Sequence, residues 1–182
     1  MNTADKKLYE EHLELMTILK SPDKDNRYMA SLDLMKQFKK DIESKKTVDA
    51  AIEKKMCDAF ILHLVDISMD VKTQAINSLE KVVPLVQDSN LEMIAEKLVT
   101  KILDEKMKDE ERDIYLSAIQ GSIKELHDDN AAKLIKKINP QLITGLASKN
   151  GNAVLKCLEI MAELYRKFHI LLFREDKLID KD

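Results

Sequence analysis

The chain has 182 residues, 45% of them apolar, 35% charged and 4% aromatic, with three Gly, three Pro and no Trp. So few turn formers and β-favouring aromatics exclude an all-β fold, while the apolar share suffices for a core inside a structure with much surface. Thirty basic against 33 acidic residues give a net charge of −3 with no basic block, which excludes nucleic acid as a partner held through its phosphates.

The first pair of predicted helices covers about 4–43. Leu8, Leu15 and Leu19 mark one face of its first helix. Pro22 and Asp23 then signal a helix entrance, because Asp accepts hydrogen bonds from the free N–H groups of a first turn. The second helix carries Arg27, Ala30, Leu34 and Phe38. The next pair, about 48–87, sets Ile52, Met56, Phe60 and Leu64 on its first helix. Ser68 stands at the cap, Lys72, Ala75, Leu79 and Val83 follow on the second helix, and Pro84 ends it.

A third pair, about 90–127, runs through Leu91, Ile94, Leu98 and Ile102 to the charged turn DEKMKDEERD, read as solvated. Lys108 occupies the cap position there, with Asp109 as its substitute, ahead of Arg112, Tyr115, Ile119 and Ile123. The fourth, about 130–173, carries Leu134, Ile138, Leu142 and Leu146, with Pro140 expected to bend its first helix. Asn150 caps the second, which bears Val154, Cys157, Met161 and Tyr165. Residues 174–182 form a polar tail or the start of an incomplete fifth pair, and the outer face of the fourth pair is expected to need cover from more chain or from a separate polypeptide.

The leading positions Arg27, Lys72, Arg112 and Val154 recur at intervals of 45, 40 and 42 residues. A period of that size with helical spacing inside it marks an α-solenoid, whose work is binding. The fold expected is therefore all-α, a right-handed α-solenoid of about four helix pairs. Cys57 and Cys157 lie on apolar helical patterns and read as buried thiols of a reducing compartment. Met29, Met35, Met56 and Met161 read as gap fillers on or near core faces. His12, His63, His127 and His169 are scattered, with no metal-ligand spacing, and there is no phosphate-binding glycine loop or nucleophile elbow. No enzyme, cofactor or metal is expected. The N-terminal MNTADKKLYEEH resembles no signal peptide, and the longest apolar run is the five residues Val82 to Val86. No membrane partner is expected, and the localisation expected is cytoplasm and nucleus.

Period and helix length resemble HEAT repeats. Residues 13–36, LELMTILKSPDKDNRYMASLDLMK, are similar to the first repeat of the Cand family, the cullin-associated and neddylation-dissociated proteins. The match runs through Ser21, Asp23, Lys24, Asp25, Arg27, Tyr28, Met29, Ala30, Asp33, Leu34 and Met35, and departs at Asn26, where the family has an aromatic. Pro84-Leu85-Val86, Arg112-Asp113 and Cys157-Leu158-Glu159-Ile160-Met161 resemble family motifs of the next three repeats in order. The resemblance implies a scaffold whose N-terminal repeats grip the C-terminal, catalytic region of an unmodified cullin together with its RING subunit. It further implies that cullin neddylation is thereby excluded and that substrate-receptor exchange is supported, with the remaining repeats on a longer chain or a second polypeptide.

On a HEAT stack the second helices line the concave face. Residues pointing away from the core there are Leu32, Lys36 and Lys39, Asn77 and Lys81, Ser117 and Lys124, and Glu159, Glu163 and Arg166. With the turn residues Asp23, Lys24 and Asp25 they form the expected partner surface, and a stable interface needs roughly 20–30 residues a side. Arg27 is expected to bond an acid or a carbonyl of a neighbouring turn. The competing readings are a HEAT scaffold of nuclear transport or phosphatase assembly, an enzyme with a helical lid, and a structural cap. The absence of Trp disfavours import cargo binding, and the lack of an acid–base cluster disfavours the enzyme.

Overall fold

The structure is a computed structural model that describes the backbone of residues 3–179 and the side chains of residues 9–171. Among the described residues it is all-α, with eight helices and no strand. They run α1 (Thr3–Ile18), α2 (Lys24–Glu43), α3 (Ala50–His63), α4 (Met69–Val82), α5 (Asp88–Leu103), α6 (Asp109–Glu125), α7 (Asp128–Gly145) and α8 (Gly151–Ile179). Odd and even helices build two layers. The second helices α2, α4, α6 and α8 pack each on the next, as do α3, α5 and α7, and each pair also packs within itself. That is the arrangement of a helical-repeat solenoid, whose units bury their apolar faces only against neighbours.

The columns read from sequence form its core. Ala30, Leu34 and Phe38, Ala75, Leu79 and Val83, and Ile119 and Ile123 are at most 2% exposed. From the first helices Ile52, Met56, Phe60, Leu64, Leu91, Ile94, Leu98, Ile102, Leu134, Ile138 and Leu142 join them. Each such helix shows one apolar stripe with charge opposite, so burial of the stripe rather than intrinsic propensity holds it helical. Both cysteines are buried and free, and burial pushes both thiols up.

Helix ends follow local chemistry. Asp23 caps α2 by accepting from Asp25 N at 2.8 Å, and Asp49 caps α3 by accepting from Ala51 N at 2.9 Å. Asn150 Oδ1 accepts from Asn152 N at 3.0 Å and Ala153 N at 3.2 Å. Pro84 ends α4 by turning Val83–Leu85 into a single 3₁₀ turn. Pro140 is carried inside α7, where Thr144 Oγ1 donates to its carbonyl at 2.9 Å.

Four readings are corrected. Met29 is 49% exposed, because α2 buries Ala30 and Leu34 beside it instead. Tyr165 is 55% exposed, since α8 buries Leu164 and Phe168 beside it instead. Leu146 follows the last residue of α7 and is 37% exposed. Asp109 does not replace the cap of α6: Lys108 keeps that position, and Asp109 sits in the first turn with Oδ1 3.6 Å from Arg112 Nε. The Leu8 side chain, and residues 180–182 of the tail region, lie outside the described residues.

Candidate partner-binding surface

Two buried arginines fix the height of the second helices. Arg27 donates through Nε and Nη2 to both oxygens of Asp66, at 2.7 and 2.8 Å, and through Nη1 to the Ser21 and Pro22 carbonyls at 2.9 Å. It joins its own turn to the turn of the next pair, as the sequence led us to expect. The paired guanidinium holds the Asp66 carboxyl below its ordinary range, and Asp66 in turn accepts from Ser68 N at 2.8 Å. Arg112 closes its own turn by donating to the carbonyls of Ile102, Asp104 and Met107. A planar five-donor fork suits both tasks, which a lysine cannot repeat.

With the helices fixed at that height, the expected surface divides in two. Asp23, Lys24 and Asp25 are all exposed at the first turn of α2. Lys24 Nζ reaches Asp70 Oδ2 of the next pair at 3.3 Å. Lys36 and Lys39 sit in the far half of α2, about 18–23 Å from Lys24 at 1.5 Å per residue. They share that second zone with residues of the later helices. Lys36, Asn77, Ser117, Lys124 and Arg166 are exposed there, and Lys39, Lys81, Glu159 and Glu163 half-buried.

Several of these groups are already engaged. Lys81 Nζ holds Glu125 Oε1 of α6 at 2.9 Å, Arg166 pairs with Glu163 on its own helix, and Ser117 Oγ donates back to Asp113 O at 2.9 Å. Lys156 lies 3.5 Å from Glu159 and 2.8 Å from Asp113. The Glu125 carboxyl is held below its ordinary range by its bond to Lys81, with further help from the charges of Lys167 and Lys39. Lysines of α2, α4 and α8 thus surround one carboxylate of α6. Among the described residues, Lys36, Lys39 and Lys124 take part in no ion pair.

Sequence reasoning missed Glu125 and Lys167. The Lys167 ammonium donates to the Ile123 carbonyl at 3.0 Å and to that of Lys124, so it caps the end of α6 from a helix 43 residues on. Glu125 gave a usable signal, since it follows Lys124 on the outward side. Lys167 gave none, because its target is backbone. Also missed was the apolar patch at the α3–α4 turn, where Leu62, Val65, Ile67 and Met69 are 66%, 43%, 96% and 65% exposed. Among the described residues no group of His, Cys, Asp and Glu could hold a metal ion, and no helix is long and apolar enough to cross a membrane.

The chain is 28% identical over 152 residues to cullin-associated NEDD8-dissociated protein 1 of Arabidopsis thaliana, which covers 82% of this chain and 12% of that protein. It is 30% identical over 158 residues to cullin-associated NEDD8-dissociated protein 2 of Mus musculus, 84% of this chain and 12% of that protein. This chain is a relative of the Cand family. A Drosophila melanogaster member matches 88% of it at 27% identity. The chain spans about an eighth of the length of these curated relatives, 12% to 13%. No protein-family model matches it. Among solved structures, an engineered protein aligns over 90% of this chain and 63% of that one, with a TM-score of 0.40 and 19% identity.

Proposed function

We propose that the chain is a non-enzymatic scaffold that binds cullins and grips the catalytic end of an unmodified cullin–RING ubiquitin ligase. The observation that carries this reading is kinship, along most of the chain, with proteins named for cullin association and for dissociation from NEDD8. The second-helix ridge, with Lys36, Lys39 and Lys124 open and Lys81 braced on Glu125, supplies the cationic contacts for the cullin C-terminal region and its RING subunit. Occupation of that region excludes neddylation of the same cullin by simple overlap. Support of substrate-receptor exchange falls to repeats outside this chain, whether on a longer chain or on a second polypeptide. The place of action is cytoplasm and nucleus.

Calorimetric titration of the chain into a cullin–RING complex, unmodified and neddylated, tests this directly. The unmodified complex is expected to bind and the neddylated one to give no heat. The triple variant Lys36→Glu, Lys39→Glu, Lys124→Glu is expected to bind about tenfold or more weakly, with a steeper loss in salt for the parent chain. No binding to the unmodified complex overturns the reading, and equal binding to both forms removes the exclusion mechanism.

A further inference from the structure

Because the four pairs are built alike, one position can be compared across them. Two residues before the last core residue of the first helix, which is Leu19, Leu64 or Ile102 in the first three pairs, stand Thr17, Leu62 and Thr100. Three residues before the leading position of the second helix stand Lys24, Met69, Asp109 and Gly151. All seven are exposed, yet only the second pair puts apolar side chains there, Leu62 at 66% and Met69 at 65%. Between those two, Val65 is 43% and Ile67 96% exposed. A single apolar residue at a surface needs no reason, but these four lie within eight residues and form a contiguous strip. Neither the core nor the repeat construction calls for it.

The strip runs into a cavity of about 610 Å³ between α3 and α5, lined by Ile61, Leu62, Val65 and Met93, with the buried Tyr115 joining from α6. A cavity of that size accepts apolar side chains. Since the strip continues past it through Ile67 and Met69, its occupant is longer than the cavity, and a segment of chain fits it better than a small molecule. The rim decides the sign of the charge. Asp58 Oδ1 is held by Lys97 Nζ at 2.6 Å, and Glu96 Oε2 by Lys137 Nζ at 3.0 Å. Lys101, exposed on the same rim, takes part in no ion pair among the described residues. The uncompensated charge beside the groove is therefore positive.

We propose that the α3–α5 groove and the α3–α4 turn form a docking site for an amphipathic helical segment of a partner protein, one that carries a carboxylate beside its apolar stripe. Leu62, Val65 and Ile67 cover the stripe, whose side chains recur three and four residues apart as in other helix-in-groove complexes. Lys101 meets the carboxylate. Apolar burial supplies the affinity, and the lysine selects against a basic segment. The groove is built on first helices, whereas the ridge from Lys36 to Lys124 is built on second helices. The proposal therefore does not rest on the cullin reading, and either can fail alone.

The test selects a phage library of random peptides of about 16 residues, some four helical turns, on the full chain. The double variant Leu62→Ser, Ile67→Ser serves for counter-selection, and since both positions are exposed it leaves the core intact. Enriched peptides are expected to space apolar residues three and four apart and to carry Asp or Glu. In fluorescence anisotropy the leading peptide should bind the double variant about tenfold or more weakly than the parent chain. Replacing its acid by Lys should weaken binding about fivefold, and Lys101→Glu should invert that order. No enrichment over the double variant overturns the docking site, and an acid-to-lysine change without effect overturns the charge assignment. The triple variant Lys36→Glu, Lys39→Glu, Lys124→Glu should hold the peptide as the parent does, and loss of the peptide there overturns the placement on the first helices. Two further results assign the site to other occupants and overturn the proposal. One is a dimer in sedimentation that the double variant dissolves, which points to a second copy. The other is tighter peptide binding once residues 172–182 are removed, which points to the chain's own tail.

Discussion

The junction between the first two pairs and that between the last two are built from different chemistry. Between the first and second, buried polar groups meet: Arg27 clasps Asp66, Ser31 Oγ lies 3.2 Å from Ser78 Oγ, Gln74 Nε2 donates to Ser78 at 3.1 Å, and His63 Nε2 bonds the Leu19 carbonyl at 3.0 Å. Between the third and fourth the interior is apolar, with Leu116, Ile119, Cys157, Ile160 and Leu164, and ion pairs such as Asp113–Lys156 sit at the rim. The polar junction fixes one height of one pair against the next, since a slip would leave buried donors unmet. The apolar junction sets register less sharply, and its rim charges add little in water. One solenoid thus uses a directional lock at one end and a smooth, adaptable packing at the other.

The largest expected effect breaks apolar packing at the centre. Leu98→Ala removes a fully buried side chain from α5 and is expected to cost about 2–5 kcal/mol, read as a lower urea midpoint at unchanged slope. Next, Asp66→Asn should lower stability at pH 7 by about 1.5–3 kcal/mol, the range for hydrogen bonds to a charged group. Its effect should vanish in acid. Asp66 is held low in the folded state, so its contribution is present above about pH 4 and lost as pH falls through the folded value. If the gap between the urea midpoints of parent and Asp66→Asn does not narrow as pH falls below about 4, the clasp is not what the first junction depends on.

Gly145→Ala should strain the last junction by about 1–3 kcal/mol, because a Cβ there would lie 2.5 Å from both Cys157 Sγ and Leu103 Cδ2. Faster hydrogen exchange confined to α7 and α8 checks it. The His63 effect is smaller. Burial pushes its imidazole down from the ordinary value near 6.5, against the opposing influence of the Leu19 carbonyl and Asp66. Below about pH 6.5 the unfolded chain takes up a proton that the folded chain resists, so stability should fall as pH drops from 7 toward 5. His63→Gln should flatten that slope in thermal melts. Smallest of all, Lys133→Ala breaks an exposed pair with Asp88 and should cost under about 1 kcal/mol.

Much of this was legible in the sequence. Ala30, Leu34 and Phe38 and their counterparts announce a buried stripe because helical spacing and apolarity coincide, and Asp23 and Asn150 announce helix starts because their oxygens suit free N–H groups. The outward side of the second helices, from Lys36 to Arg166, followed from the same phase. Less was legible of the partner surface, whose residues fell into two zones because α2 is 20 residues long and carries its turn and its ridge at opposite ends. Pairings such as Lys81 with Glu125 join residues on different helices, and composition gives no sign of which charge meets which.

Periodicity, phase and turn chemistry are local properties of a chain, so the sequence by itself determined the helices, their pairing and the identity of the core. It also determined kinship, since the SPDKD turn and the residues after it are a linear motif. Exposure and charge contact are properties of neighbours, and these only the tertiary structure decided. Tyr165 shares the column of Phe38, Val83 and Ile123, yet it is exposed, since among the described residues no helix lies over α8 as α8 lies over α6. Burial is conferred by what packs on a residue, and a one-dimensional pattern records the capacity for it, not the cover.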